Sequence, residues 1–164
     1  MMNNSITLNE AEQKLATFLA KKRYQNARSK GVKDNKIGGQ SVAHTDLEGM
    51  AAEIAACRLL NVYPDLQTEN IPVHDLVTSQ GFTVDVKATK YEHGRLLAVK
   101  GKAENPSDFY MLMIGTFPEY RCAGVVSKHE LLCEETLTDL GMGEVHALDQ
   151  RKLMSLELFI DGFT

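Results

Sequence analysis

The first stretch of the chain has a helical period: Leu8, Ala11, Leu15, Phe18 and Leu19 recur on one face, and Asn9 and Glu12 have the spacing of a capping box. This predicts a helix from about Glu10 into the late twenties. Residues 29–42 are rich in Gly, Lys, Asn and Ser, and Gly31, Gly38 and Gly39 oppose regular structure, so they read as a basic loop. Thr45 and Glu48 have the spacing of a second capping box, which predicts a helix from Asp46 to about Leu60. Its buried stripe is Leu47, Met50, Ala51, Ile54 and Cys57, with Glu53 at the edge of that stripe.

From Pro72 onward the period changes to two. Phe82, Val84, Val86 and Ala88 fall on one face of a strand, and Thr83, Asp85 and Lys87 on the other. Further strand-like runs are Arg95 to Val99, Phe109 to Ile114 and Arg121 to Val126, divided by Gly- and Pro-containing turns. Ser127 and Glu130 repeat the capping spacing before a short helix, and Arg151 to Phe159 is an apolar-patterned segment expected to pack on the sheet. Helix, helix, several strands and helix make an α/β or α+β chain, expected as three α/β/α layers around a central mixed sheet. The 164 residues suit one compact domain, with residues 1–44 as a basic N-terminal helix and loop and residues 45–164 as the core.

Composition narrows the class. Cys57, Cys122 and Cys133 have neither an even count nor a Cys-x-x-Cys spacing, so neither a disulfide framework nor a zinc ribbon is expected, and a reducing cytoplasm fits. No apolar run approaches the roughly 18 residues of a membrane span, and the first residues lack the apolar core of a secretion signal. The formal charge of -4 conceals an asymmetry: the first 45 residues carry eight Lys and Arg against three acids. Lys21, Lys22, Arg23, Arg28 and Lys30 are candidate phosphate contacts, with a solvated helix face as the competing reading.

The chemistry concentrates on Asp85 and Lys87, which share a strand face about 7 Å apart along the backbone. A hairpin turning at Ser79-Gln80-Gly81 pairs positions whose numbers sum to about 160, which sets Asp75 opposite Asp85. Two opposed carboxylates repel unless something neutralises them, and oxygen-only ligation calls for Mg²⁺ or Mn²⁺ rather than Zn²⁺. The alternative is a pair of solvated strand-end acids.

These residues, in this order, resemble the PD-(D/E)XK nuclease superfamily, with its restriction-endonuclease-like fold. The match covers about residues 45–130: Gly49-Met50-Ala51-Ala52-Glu53 on a helix, then Asp75, then Asp85-Val86-Lys87. Asp108-Phe109-Tyr110 and Gly124-Val125-Val126 are also similar to the family pattern. One departure is His74, where the family commonly has proline directly before its first Asp; the nearby proline here is Pro72. The resemblance implies a Mg²⁺-dependent deoxyribonuclease of a compact phage type, working in the host cytoplasm. Asp75, Asp85 and the Val86 carbonyl would hold the metal, Lys87 would orient or deprotonate a water, and Glu53 would support a water on the metal or a second cation. DNA is the implied partner, and cutting two strands would call for a homodimer. The alternative is a DNA-binding or partner-binding protein that keeps the fold without turnover.

Overall fold

The computed structural model describes residues 2–31, 42–69, 73–101 and 105–164. Strand β1 (Ser5–Thr7) leads into helix α1 (Glu10–Ser29), and helix α2 (Val42–Leu60) follows. Next come β2 (Leu76–Val77), β3 (Thr83–Thr89), β4 (Leu96–Val99), β5 (Phe109–Thr116) and β6 (Glu119–Ser127). The single turn α3 (Lys128–Leu131), strands β7 (Leu137–Asp139) and β8 (Glu144–Leu148), and helix α4 (Leu156–Phe163) complete the chain. One mixed sheet has the order β1-β6-β5-β3-β2, with β3 and β5 parallel and its other neighbours antiparallel. A second, antiparallel sheet has the order β4-β8-β7.

α1 starts where the sequence places it. The Asn9 side chain accepts from the Glu12 N–H at 2.9 Å, and Glu12 accepts from the Asn9 N–H at 2.8 Å, so two of the helix's unpaired donors are satisfied reciprocally. Its packed face differs from the predicted stripe. Ala16, Leu19 and Ala20 are buried, whereas Ala11 is exposed and Phe18 is 56% exposed. α2 lies antiparallel to α1: Glu12 near the start of α1 meets Arg58 near the end of α2 at 3.0 Å. Ala51, Ala52, Ala55 and Ala56 are fully buried in α2, and such small side chains let α1 and the sheet approach it from two sides.

The predicted start of α2 is corrected. Thr45 is inside the helix, not at its cap, because the helix already runs from Val42. The boundary drawn between residues 44 and 45 therefore falls within one helix. β1 pairs with β6 and α1 joins the main core, so the N-terminal segment belongs to the same packed unit. The loop expected over residues 29–42, and Pro72, fall largely outside the described residues.

β5 is buried along both faces, and its alternation divides the interior in two. Phe109, Met111 and Met113 face a core closed by α1, α2 and α4. Tyr110, Leu112 and Ile114 face a second core closed by Leu96, Ala98, Leu131 and Leu148. The third layer is thus the β4-β8-β7 sheet with the short α3, where a helical layer was expected. Val84 and Val86 of β3 join the helical side, and Asp85 pairs in register with Tyr110 on the other. Asp85 and Lys87 therefore face the second layer, away from the helices.

Candidate functional site

The β2–β3 hairpin has the register read from the sequence: Leu76 pairs with Val84 and Val77 with Thr83, both summing to 160. Asp75 precedes β2 and its N–H donates to the Val84 carbonyl at 3.1 Å. Because β2 is only two residues long, no strand among the described residues pairs with the edge of β3 beyond Val84. The Asp75 carboxylate supplies the missing acceptor there, taking the Val86 N–H at 2.7 Å. Asp75 is thus pinned to the edge of β3, adjacent to the Asp85-Val86-Lys87 run.

Asp85 is almost wholly buried, and the Lys87 ammonium is 2.5 Å from its Oδ1. Burial of an ionised carboxylate is costly unless it is paired, and this lysine provides the pairing. On the parallel neighbour, Tyr110 is completely buried, with its hydroxyl oxygen against the Ser107 backbone. Burial first, and then the Asp85 charge, push the Tyr110 hydroxyl above the usual phenol range.

Glu53 comes from the helical side of the sheet. Its side chain is 17% exposed and bonds Arg23, Nη1 to Oε2 at 3.3 Å. Burial, then the charge of Asp75, and to a smaller extent that of Asp85, hold the Glu53 carboxyl well above the ordinary carboxylate range, with Arg23 opposing. Glu53, Asp75 and Asp85 therefore share one electrostatic neighbourhood, in which Asp75 is the stronger influence on Glu53. Arg23, read from the sequence as a phosphate contact, is the direct partner of Glu53.

Glu48 has a different task from the cap expected of it. Both of its carboxylate oxygens accept from the Phe117 N–H at 3.1 Å, and the Tyr120 hydroxyl donates to it, tying the β5–β6 turn to α2. Burial and this carboxylate push the Tyr120 hydroxyl far up.

The predicted phosphate contacts divide. The Arg23 guanidinium also donates to the carbonyls of Asp65 and Gln67, at 3.0 and 2.9 Å, while Lys30 donates to the Glu69 carbonyl at 3.2 Å. Asn26 adds a bond to the Thr68 carbonyl at 2.7 Å, so positions 23, 26 and 30 grip residues 65–69 from one face of α1. Arg28 lies over the Tyr24 ring, 5.0 Å from its centroid. Lys21 and Lys22 are exposed. The 23-26-30 spacing was visible in the sequence, but nothing there identified what it would hold.

Other groups can be placed as supports. The Thr83 N–H and hydroxyl both donate to Asp108 at 3.0 Å, and Lys128 adds a contact at 3.2 Å; this clips the starts of β3 and β5 together and holds the Asp108 carboxyl below the usual range. Cys57 and Cys122 are buried and their thiols are pushed up to about 12, burial being the first cause, which leaves them protonated packing groups. No helix among the described residues is long and apolar enough to cross a membrane. Compared with protein families, curated proteins and solved structures, the chain matches none.

Proposed function

We propose that the chain is a metal-dependent nuclease of the PD-(D/E)XK kind, hydrolysing phosphodiester bonds of DNA. The observation that carries this reading is the convergence of Asp75 and Asp85 on one end of β3, with Lys87 contacting Asp85 and Glu53 in the same electrostatic field. A buried Glu53 whose proton affinity is raised by burial and by the charges of Asp75 and Asp85 is a poor way to stabilise a fold and a suitable way to receive a cation.

Among the described residues, no three His, Cys, Asp or Glu side chains form a ready-made metal cage. Mg²⁺ is commonly held by one or two carboxylates and completes its shell with waters and substrate phosphate. Asp75, Asp85 and the Val86 carbonyl would hold the ion, with Glu53 in support. When bound, it would polarise a phosphoryl oxygen and make a water more acidic.

The protein groups have separate tasks in this proposal. Lys87 orients the attacking water and offsets negative charge at phosphorus. Asp75 fixes the edge of β3 through the Val86 N–H. Arg23 holds Glu53 in place and keeps its negative form accessible. The test is a panel of labelled DNA substrates with Mg²⁺, Mn²⁺ or chelator, run beside Asp85→Asn. Cleavage should vanish in chelator and in the variant, and calorimetric Mn²⁺ binding should weaken in Asp85→Asn. Cleavage that survives both would overturn the reading.

A further inference from the structure

A cleft of roughly 700 Å³ opens beside Asp75, walled by the segment from Tyr63 to Glu69 on one side and His74 to Val77 on the other. Its features suit one kind of occupant. Tyr63 is 81% exposed, so its ring lies open to solvent where no core requires it. Across the cleft, His74 is fixed by a buried group: its Nδ1 lies 2.7 Å from the hydroxyl of Ser107, which is 3% exposed. With Nδ1 engaged, Nε2 is the imidazole atom left for a guest. His74 also occupies the position at which proline is common in the resembling family, so the superfamily pattern does not account for it.

We infer that this cleft binds an unpaired nucleotide of the substrate strand, its base stacked on Tyr63 and its phosphate hydrogen-bonded by His74 Nε2, next to the bond cut at Asp75 and Asp85. The inference rests on the nuclease reading and assigns it a substrate class: single-stranded DNA, or duplex with a frayed or flapped strand. A free base offers the π-face that an exposed aromatic ring recognises irrespective of sequence, whereas a paired base has both faces covered by its stack. The α1 clamp holds residues 65–69, the segment that follows Tyr63 along this wall.

The test is fluorescence anisotropy with an end-labelled 12-nucleotide single strand and a hairpin duplex of the same sequence, in chelator so that nothing is cut. The single strand is expected to bind at least tenfold tighter. Tyr63→Ala should weaken it by about 5- to 100-fold, the effect of losing one stacked aromatic, with little change for the duplex, while Tyr63→Phe retains binding. His74→Ala should weaken the single strand, and Ser107→Ala should do so less, since it loosens the ring without removing it. Equal affinity for the two DNAs, or an unaffected Tyr63→Ala, overturns the inference even if metal-dependent cleavage is observed. Tyr63-dependent single-strand binding without any metal-dependent cleavage would instead sustain the cleft and overturn the nuclease reading.

Discussion

Arg23 on α1 and Glu53 on α2 form an ion pair at 3.3 Å, and the same guanidinium holds the carbonyls of Asp65 and Gln67. One side chain thereby joins both helices to the segment that leads towards Asp75. Removing one member of a largely buried pair costs about 3–5 kcal/mol when the remaining charge cannot find water. Arg23→Met is expected to destabilise the protein by about 3 kcal/mol, and Arg23→Lys should recover only part because an ammonium lacks the planar fork. Urea unfolding at constant m value measures this. A loss below about 1 kcal/mol would show that the pair is solvated in practice.

The raised Glu53 pKa makes a pH prediction with a definite sign. The folded protein keeps the Glu53 proton over a range where the unfolded chain has released it, because burial and then Asp75 raise the folded value above the ordinary 4.5. Stability from this group is therefore fully present below about pH 4.5 and lost as pH rises through the folded pKa. Glu53→Gln abolishes that loss, so its melting temperature relative to the parent should increase between pH 4 and pH 8. A difference that stays flat across this range contradicts the electrostatic account. Single-turnover cleavage by the same variant should fall by about 10- to 100-fold.

Glu48 should be a structural residue with little influence on turnover. Glu48→Ala leaves the Phe117 N–H and the Tyr120 hydroxyl without their acceptor and should cost about 2–4 kcal/mol, given about 1–3 kcal/mol per stranded polar group. Glu48→Gln keeps an acceptor oxygen and should cost less. A double-mutant cycle with Tyr120→Phe is expected to show coupling of about 1 kcal/mol or more. If Glu48→Gln abolishes cleavage while leaving the melting temperature alone, the helix presents its other flank to the chemistry.

Asp75 separates its two tasks on substitution. Asp75→Asn still offers an oxygen to the Val86 N–H, so it should fold normally and lose cleavage and Mn²⁺ affinity. Asp75→Ala also strands that amide, which should cost about 1–3 kcal/mol in denaturant unfolding. Equal stability of the two variants would show that the hydrogen bond contributes nothing.

The basic segment should act on DNA through its exposed members. Lys21→Ala and Lys22→Ala are each expected to reduce the slope of log K against log salt by about 0.9 for duplex or 0.7 for single strands, without altering stability. Arg23→Lys should leave that slope in place, because its head group is committed to Glu53 and to backbone carbonyls. An unchanged slope in the Lys21/Lys22 double variant would make this face a solvated one only.

Local information was enough for much of the architecture. The Asn9 and Glu12 cap, the β3 strand and the hairpin register that brings Asp75 to β3 all depend on residues within about a dozen positions of one another, so their spacing is legible. Glu48 was misread for the same reason: Thr45 satisfies the local rule for a cap, but Phe117 and Tyr120 are some seventy positions away and outcompete it. Tyr110 was one apolar residue in an apolar run until the parallel pairing of β3 and β5 set it beside Asp85. The third layer was missed because β7 and β8, which pair with the strand read at Arg95 to Val99, are three and five residues long, too short for periodicity to distinguish.

What the sequence by itself determined was the chemical inventory and its local geometry: a hairpin register that brings Asp75 to the edge of the strand bearing Asp85, a lysine two residues from Asp85, and a glutamate on a helix. What only the tertiary structure decided was which charge answers which. Arg23 was committed to Glu53 and to the 65–69 carbonyls, Lys87 to Asp85, and Lys21 and Lys22 to the surface. The reason is that burial sets the cost of a charge, and burial is a property of segments distant in sequence packing together, which no local spacing records.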